Sequence, residues 1–319
     1  MLEQIRALKR RGVLAINKRN ADYILIYNPR SLYPLVDDKL LTKKLAQEHG
    51  IPVPELYGAM EREVQVRELP GLVQDHPDFV VKPSHGRGGE GILVISGRIN
   101  EKFRKYDGTP LTGDEMNHHL FNCLSGLYSL GGQPDTAMIE YRVRFDPIFK
   151  AISYEGVPDI RIIVFLGVPV MAMVRLPTRM SKGKANLHQG AIGAGVDMAS
   201  GKTLTAVWGR DIVSEHPDTG NSISDVAIPG WNDLLELASR CYDITGLGYI
   251  GVDIVLDRDK GPLLLELNAR PGLNIQIAND AGLVLRLDRV ESNASYLTGV
   301  AERVAFAKEH FAAGNFSTA

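Results

Sequence analysis

Apolar positions recur at helical spacing in several parts of the chain. The spacing predicts helices over 37–50, 114–130, 232–245 and 295–311, and a shorter helix near the start of the chain. Gly50 ends the first of the long helices, and Pro52 and Pro54 follow it. Because proline cannot continue a helix, the chain should leave this helix as an extended segment.

Short runs rich in β-branched residues predict strands, and turn residues join these strands in pairs. The predicted hairpins are 79–83 with 92–95, 160–166 with 170–176, and 249–256 with 263–267. Strands joined by hairpins, with helices grouped between them, are typical of an α+β fold and not of a repeated βαβ winding. The pattern therefore predicts antiparallel sheets.

Charge divides the chain into a basic beginning and an acidic remainder. Residues 1–36 carry seven Lys or Arg against two acids, in a chain whose formal charge is −2. We expect an N-terminal basic arm (1–36) that packs on the core or on another subunit of a homo-oligomer. Two lobes should follow, 37–145 and 146–319, and the polar, irregular stretch 98–136 should be an insertion in the first lobe. Nucleic-acid binding is an alternative that depends on the arm alone.

Composition narrows the class of protein. The 319 residues are 44% hydrophobic and 23% charged, which is typical of a globular enzyme and excludes a fibre or a disordered chain. No uncharged apolar run reaches the roughly 18 to 20 residues of a membrane-spanning helix, and no apolar signal region follows the basic N-terminus. We therefore expect a cytoplasmic protein with no membrane span. Cys123 and Cys241 are far apart and should be reduced thiols.

A glycine-rich stretch lies between the predicted strands 79–83 and 92–95. Gly86, Gly88 and Gly91 match the dinucleotide-binding spacing, but a strand follows where that motif requires a helix. A glycine-rich hairpin tip can instead place its backbone N–H groups over phosphates. Lys82, at the end of the strand that enters the loop, adds a cation. The alternative is a hairpin that is merely flexible.

Three oxygen-bearing side chains interrupt the last predicted hairpin. Glu266 and Asn268 share one face of their strand, and closing the hairpin brings Asp253 opposite Glu266. Adjacent buried carboxylates repel each other, so the arrangement favours a bound cation, and an all-oxygen ligand set favours Mg²⁺ or Mn²⁺. The alternative is a solvent-facing side of an antiparallel sheet. Arg270 could bring a positive charge to the same place.

These motifs together resemble the ATP-grasp ligases. The resemblance rests on Lys39 in its Asp-Lys-x-x-x-x-Lys context, on Lys82 with the glycine loop, and on Gly-Val-Asp253 followed by Glu266-Leu-Asn268-Ala-Arg-Pro-Gly. It extends from about Asp37 to Gly272, and within the superfamily it is strongest for RimK-type enzymes of the alpha-L-glutamate ligase homologue group. The resemblance implies an ATP-grasp fold, in which two α+β lobes grip ATP between antiparallel sheets.

The resemblance also implies roles for individual residues. Lys39 and Lys82 would contact ATP phosphates under the glycine loop, to which His85, Gly86, Gly88, Gly89 and Gly91 belong. Glu140 and Tyr141 would form the hinge that holds adenine, Asp159 would hold ribose, and Lys184 and Asn186 would line the nucleotide and acceptor site. Asp253, Glu266 and Asn268 would bind two Mg²⁺ ions. His85 and His188 are either proton carriers and phosphate ligands or hydrogen-bonding wall residues.

The chain departs from the RimK-type pattern mainly where the acceptor would bind. Only the basic arm precedes Lys39, where RimK-type proteins have a sizeable domain. Lys184 and Gln189 stand where that group has Arg, and Arg270 stands where it has Ser. A related group of ATP-grasp proteins, associated with sugar transfer, ends its metal strand in a similar Asn-Ala-Arg-Pro-Gly segment. An enzyme of sugar transfer or phosphotransfer with a non-amino-acid acceptor is therefore the alternative.

The expected reaction is ATP-dependent ligation of a carboxylate to an amine through an acyl phosphate. The candidate catalytic residues are Lys82, Arg175, Lys184 and Arg270, and the candidate substrate-binding residues are Arg161, Arg179, Lys182, His188 and Arg270. The cations among them exceed what ATP with its own metal ions needs, which predicts an acidic amino acid such as glutamate, or an acidic peptide, as a substrate. Alternatively, these cations pair with surface acids.

Overall fold

Two antiparallel β-sheets organise the chain, and each belongs to its own compact unit. In the computed structural model, which describes residues 2–86 and 88–315, the large unit comprises Met1–Asp37, Leu45–Pro52 and Arg144–Ala319. The small unit comprises Asp38–Lys44 and Val53–Val143.

The strands alternate direction throughout both sheets. They are β1 (Leu56–Met60), β2 (Phe79–Pro83), β3 (Leu93–Ile99), β4 (Lys102–Lys105), β5 (Pro110–Leu111), β6 (Ala137–Glu140), β7 (Asp159–Phe165), β8 (Val168–Leu176), β9 (Ile192–Val196), β10 (Thr203–Trp208), β11 (Asp211–Val213), β12 (Tyr249–Asp257) and β13 (Gly261–Asn268). The sheet of the small unit has the order β1-β6-β2-β3-β4-β5, and that of the large unit has the order β11-β10-β9-β8-β7-β12-β13.

Helices flank these sheets. They are α1 (Leu2–Arg10), α2 (Ile16–Lys18), α3 (Leu25–Tyr27), α4 (Pro34–Asp37), α5 (Lys39–Glu48), α6 (Leu69–Leu72), α7 (Gly113–Leu124), α8 (Trp231–Thr245), α9 (Ile275–Ala278), α10 (Val284–Glu291) and α11 (Val300–His310). A π-helical turn, Arg19–Ile24, joins α2 to α3. Among the described residues, no helix has both the length and the apolar character needed to cross a bilayer.

Each sheet buries apolar side chains against helices of its own unit. In the small unit, Phe79, Val81 and Ile95 of the sheet pack with Met116 and Leu120 of α7. In the large unit, β7, β8 and β12 contact α8, and β8 also contacts α11. Both β7 and β12 are buried along most of their length, so a polar side chain on either strand must find a partner inside the sheet.

The N-terminal segment, expected as an arm, lies within the large unit. Leu14, Tyr23 and Ile24 are buried, and Tyr23 packs edge-on against Phe165 with ring centroids 5.5 Å apart. Backbone hydrogen bonds join the segment to later parts of the chain, for example from the N–H of Val284 to the carbonyl of Gly12 (2.9 Å). Its apolar residues therefore contribute to the core, although its composition is basic.

Most predicted elements are present, with corrections. All three hairpins are confirmed by the pairing of β2 with β3, β7 with β8, and β12 with β13. The stretch 98–136 is more regular than expected, because it contains β4 and β5 as well as a helix that ends at Leu124 rather than at Leu130. The last helix begins at Val300 rather than near Ser295. Both cysteines are buried free thiols, as predicted.

Gly251 lets the end of the last hairpin pack closely. It pairs with Asn268 across β12 and β13, and a Cβ atom at Gly251 would lie 2.7 Å from Cβ of Pro271. We expect Gly251→Ala to displace the segment after Asn268 and to lower the free energy of unfolding by about 1–3 kcal/mol, as overpacking does. Urea unfolding measures this loss.

Gly272→Ala is the matched control, because a Cβ atom at Gly272 meets no atom within 4 Å. It should leave the unfolding midpoint unchanged. Equal midpoints for Gly251→Ala and the unmodified chain would contradict the prediction.

Candidate functional site

A buried aspartate between two arginines is the centre of the charged cluster in the large unit. Asp253, on β12, has Arg161 of β7 as its neighbour on one side and Glu266 of β13 on the other. Arg161 donates through Nε to Oδ1 of Asp253 (2.7 Å) and through Nη2 to Oδ2 (2.5 Å). Arg175 donates through Nη2 to Oδ2 of Asp253 (2.8 Å). The Asp253 side chain has no solvent exposure.

Arg175 bridges Asp253 to a second buried carboxylate. It makes a two-pronged hydrogen bond to Asp159, its neighbour across β7 and β8. Burial raises the pKa of Asp159 to about 6, and the nearby charge of Asp253 adds to this, although Arg175 opposes it. Burial would also raise the pKa of Asp253, but Arg161 and Arg175 outweigh it and hold that pKa well below its usual range. Asp253 therefore keeps its negative charge.

Glu266 and Asn268 complete the cluster at its less buried side. The amide nitrogen of Asn268 lies 3.3 Å from Oδ2 of Asp253 and 3.4 Å from Oε1 of Glu266. The hairpin register confirms the predicted juxtaposition of Asp253 with Glu266. The cluster contains three carboxylates and two guanidinium groups, which leaves one net negative charge: Asp159, Asp253 and Glu266 against Arg161 and Arg175. This charge lies among oxygen atoms that could bind a cation. A half-turn of the Asn268 amide brings its oxygen to the same place.

The donor chemistry of this cluster fits a hard divalent cation. Glu266 and Asn268 would hold the cation, while Asp253 would have to share its oxygens with two arginines. Within the part of the chain that the structure describes, no group of three or more His, Cys, Asp and Glu residues is arranged as a metal site. Two carboxylates and an amide are thus the candidate ligand set.

The small unit contains the opposite arrangement, a buried glutamate between two lysines. Nζ of Lys82 lies 2.6 Å from Oε1 of Glu140, and Nζ of Lys43 lies 2.9 Å from Oε2. All three side chains are at most 6% exposed. Burial would raise the pKa of Glu140, but Lys82 and Lys43 outweigh it and lower that pKa. Burial lowers the pKa of Lys43, and Glu140 opposes this.

With both lysines charged, this trio carries one net positive charge. Its location at the end of β2, where the glycine-rich loop begins, suits an anion. Sequence reasoning identified Lys82 and Glu140 but missed Lys43, although Lys43 lies one helical turn after Lys39 on α5 and so shares its face.

The start of α5 holds the beginning of the glycine-rich loop. Nζ of Lys39 donates to the carbonyl oxygens of Ser84 (3.3 Å) and Gly86, and the Ser84 hydroxyl donates to Asp38. Nδ1 of His85 lies 2.8 Å from Oδ1 of the buried Asp135. Asp38, Ser84 and Asp135 were not found by sequence reasoning, because each acts through a partner that is distant along the chain.

The loop itself uses the conformational freedom of glycine. Gly88, Gly89 and Gly91 have φ values of +62°, +76° and +71°, which other residues rarely adopt. A Cβ atom at Gly91 would lie 2.5 Å from the Tyr128 ring. Strands β2 and β3 flank the loop, which confirms that it is a hairpin and not a dinucleotide-binding turn. Tyr141 follows the end of β6, and its N–H donates to the carbonyl of Glu55 (2.8 Å).

The cations predicted to bind substrate do not form one cluster among the described residues. Arg161 and Arg175 pair with buried aspartates, whereas Arg179 lies over the Tyr154 ring (5.1 Å) and 4.0 Å from Asp218. Arg270 lies over the Tyr33 ring at 5.3 Å.

The remaining candidates lie in the segment between β8 and β9. Lys182 and Lys184 are exposed there, and Asn186 caps a short 3₁₀ turn by accepting from the N–H of His188 (3.0 Å). This segment supplies charge that is accessible to solvent, unlike Arg161 and Arg175.

Asp159 should give the large unit a distinctive pH dependence. Because its pKa is raised in the folded chain, the stability gained from its proton is complete below the ordinary carboxyl pKa and is lost as the pH rises through about 6. Relative to Asp159→Asn, the unmodified chain should therefore lose unfolding free energy between about pH 4 and about pH 7. Urea unfolding of both proteins across this range measures the difference. Parallel pH profiles would contradict the assignment.

Comparison with known proteins places the chain in a family. The profile of the family described as sugar-transfer associated ATP-grasp matches residues 18–292, which is most of the chain. No curated protein sequence matches significantly.

Several solved structures are similar at low sequence identity. D-cycloserine synthetase DcsG is 15% identical, with 88% of this chain and 80% of that chain covered and a TM-score of 0.47. The D-alanine-D-alanine ligase from Coxiella burnetii is 14% identical, with 87% and 59% covered and a TM-score of 0.48. The ATP-grasp ligase PsnB complexed with minimal precursor is 15% identical, with 84% and 63% covered and a TM-score of 0.45. This chain thus spans less than two thirds of PsnB.

The family match confirms the superfamily that the motifs predicted. The stronger resemblance to RimK-type glutamate ligases stays a prediction. On the family match, this chain belongs to the sugar-transfer associated ATP-grasp family and has the ATP-grasp fold, with two antiparallel sheets and flanking helices.

Proposed function

We propose that this protein is an ATP-dependent ligase that joins a carboxylate to an amine, as RimK-type enzymes do. The observation that carries the proposal is the hairpin β12–β13, which brings Asp253, Glu266 and Asn268 together. Counted with Asp159, Arg161 and Arg175, the cluster carries one net negative charge. A structural ion-pair network does not require the third carboxylate, Glu266, which is left over after the two arginines are paired. A divalent cation that accompanies a nucleotide accounts for it.

The small unit would bind the phosphates of ATP. Lys82 carries the positive charge, and Glu140 and Lys43 hold it in place with contacts of 2.6 Å and 2.9 Å. The N–H groups of a loop with successive positive φ values, at Gly88 and Gly89, can surround an anion. Lys39 would serve this loop by holding its first carbonyl groups. His85, Gly86 and Gly91 belong to the same loop.

The nucleoside would be held by residues that the resemblance identifies. Glu140 and Tyr141 would form the adenine hinge, Asp159 would contact ribose, and Lys184 and Asn186 would line the site. The Glu140 carboxylate pairs with Lys43 and Lys82. Its side chain would therefore contribute to nucleotide binding by positioning Lys82.

In the large unit, Glu266 and Asn268 would hold Mg²⁺ or Mn²⁺, with Asp253 as the third ligand. When bound, the cation would neutralise charge on the phosphoryl group being transferred. The chain's own contribution is alignment, because Arg161 and Arg175 fix Asp253 with hydrogen bonds of 2.5–2.8 Å. The same three residues would hold a second Mg²⁺ ion.

The reaction balances without a covalent enzyme intermediate. A carboxylate oxygen of the first substrate attacks the γ-phosphorus of ATP, the bond to the bridging oxygen breaks, and ADP leaves. The amine of the second substrate then attacks the carbonyl carbon of the acyl phosphate and displaces phosphate. The products are an amide, ADP and phosphate.

The exposed cations suggest an acidic substrate, such as glutamate or an acidic peptide. Arg161 and Arg175 are neutralised by aspartates, so this inference depends on the accessible side chains. These are Arg179, Lys182, Lys184 and Arg270, with His188 beside them in sequence.

A second candidate acceptor is a sugar or a phosphorylated compound. The family match to sugar-transfer associated ATP-grasp proteins favours it. Such an enzyme would use the same nucleotide and metal residues, and it would release ADP without forming an amide.

Glu266→Gln should abolish turnover while preserving the fold. The change removes the charge of the ligand that no arginine neutralises, but it nearly preserves volume. We expect kcat to fall at least about a hundredfold at saturating Mg²⁺, since losing charge stabilisation of the transition state costs several kcal/mol. Glu236→Gln, on the exposed face of α8, is the control. Activity of Glu266→Gln within about tenfold of the unmodified chain would refute the metal assignment.

An ADP-release screen tests the substrate class. With ATP and Mg²⁺, glutamate should be used better than alanine or glutamine, and acidic peptides should be compared as acceptors. Arg179→Ala and Arg270→Ala should each raise KM for the acidic substrate about tenfold or more, because a charge-assisted contact is worth about 1.5–3 kcal/mol. Mass spectrometry of the products distinguishes an amide from a phosphorylated sugar. Equal use of alanine and glutamate, unaffected by both substitutions, would refute the acidic pocket.

A further inference from the structure

Three side chains of the N-terminal segment contact Arg270 or the residues on either side of it. These side chains are Arg19, Asn28 and Tyr33, and the segment lies in the same unit as Arg270. Arg270 follows the candidate metal ligand Asn268 by two residues and is exposed. An exposed arginine would ordinarily sample many rotamers, and restricting it costs conformational entropy. Contacts that restrict Arg270 therefore suggest that its position matters for function.

Two of the contacts fix the backbone directly before and after Arg270. Nδ2 of the buried Asn28 donates to the carbonyl of Ala269 (3.1 Å) and to the carbonyl of Tyr249 (2.7 Å). Nη1 of the buried Arg19 donates to the carbonyl of Pro271 (2.7 Å). The N-terminal segment therefore holds the peptide group that precedes Arg270 and the peptide group that follows Pro271.

The third contact restricts the side chain. The guanidinium group of Arg270 lies 5.3 Å from the centre of the Tyr33 ring, a distance at which an arginine interacts favourably with the face of an aromatic ring. This contact leaves the N–H donors at the edge of the guanidinium plane available to a planar anion such as a carboxylate.

The positive charges of Arg19 and Arg270 support the binding of an anionic ligand beside Arg270. The side-chain hydrogen bonds of Arg19, among the described residues, go to neutral groups, namely Asn20 and the Pro271 carbonyl. Burial lowers the pKa of Arg19, and the positive charge of Arg270 lowers it further. Two neighbouring cations, one of them buried against neutral partners, attract an anion.

We propose that Arg19, Asn28 and Tyr33 are positioning residues that hold Arg270 as the cation receiving a carboxylate of the acidic substrate. The inference rests on the proposed function and gives the N-terminal segment a role in it.

Tyr33 gives the sharpest test, because it is half-buried and a conservative variant is available. Tyr33→Leu removes the aromatic face, whereas Tyr33→Phe retains it. In ADP-release assays with L-glutamate, KM for glutamate should rise about two- to fivefold in Tyr33→Leu, the range expected for losing an exposed cation–π contact. KM for ATP should stay unchanged, and Tyr33→Phe should behave as the unmodified chain does.

Tyr242→Leu is the matched control. Tyr242 is also half-buried in the large unit, and it also has an arginine over its ring, Arg303 at 5.2 Å. This control should leave KM for glutamate unchanged. Arg19→Met removes the buried charge and the hydrogen bond to Pro271, and it should raise KM for glutamate further than Tyr33→Leu does.

Hydrogen exchange in the full chain provides a readout that needs no turnover. Peptides covering 268–272 should exchange faster in Tyr33→Leu and Arg19→Met than in Tyr242→Leu. Unchanged exchange together with unchanged KM for glutamate would overturn the inference. A uniform loss of kcat with an unchanged KM would also overturn it, since that result indicates a merely structural role.

The inference and the proposed function fail in different ways. If the unmodified chain releases no ADP with any acidic substrate, the proposed function is refuted and this inference falls with it. If the unmodified chain uses glutamate but both variants retain its KM, only the inference is refuted.

Discussion

The burial of Asp253 between Arg161 and Arg175 is the interaction on which the large unit most depends. A carboxylate with no solvent exposure persists as an anion only where its charge is compensated. Removing one partner of such a pair typically costs about 3–5 kcal/mol, since it leaves an unpaired buried charge. Because the three residues lie on β7, β8 and β12, they couple the register of adjacent strands to the position of Asp253. The side chains of Glu266 and Asn268, proposed as metal ligands, are therefore attached to a part of the sheet that these ion pairs hold in place.

The small unit has the same kind of buried charge cluster with the signs of the charges reversed. Glu140 is buried between Lys43 and Lys82, which leaves a net positive charge beside a glycine-rich hairpin. In each unit the clustered charges are odd in number, so one of them is left for a ligand to neutralise. The residual sign suits phosphate in the small unit and a divalent cation in the large unit.

The N-terminal segment shows what charge patterning leaves out. Its excess of cations predicts an arm that packs on the core or on another subunit, and the structure adds that Arg19 is buried and that Asn28 bridges the start of β12 to the residue after β13. Such a segment cannot be removed without exposing the aromatic cluster of Tyr23 and Phe165. Its role in placing Arg270 then follows from the same contacts that complete the core.

The sequence by itself determined the hairpins, the α+β class and the ATP-grasp motifs. Alternation along a strand has a period of two, and each hairpin turn sets a local register, so Asp253, Glu266 and Asn268 could be placed together without any structure. Strands β4 and β5 escaped detection because they are short and partly polar. Only the tertiary structure decided that Arg161, 92 residues from Asp253, neutralises it, that Lys43 pairs with Glu140, and that Tyr33 lies under Arg270. Pairing between elements that are distant along the chain depends on sheet order and side-chain direction, which no local pattern specifies.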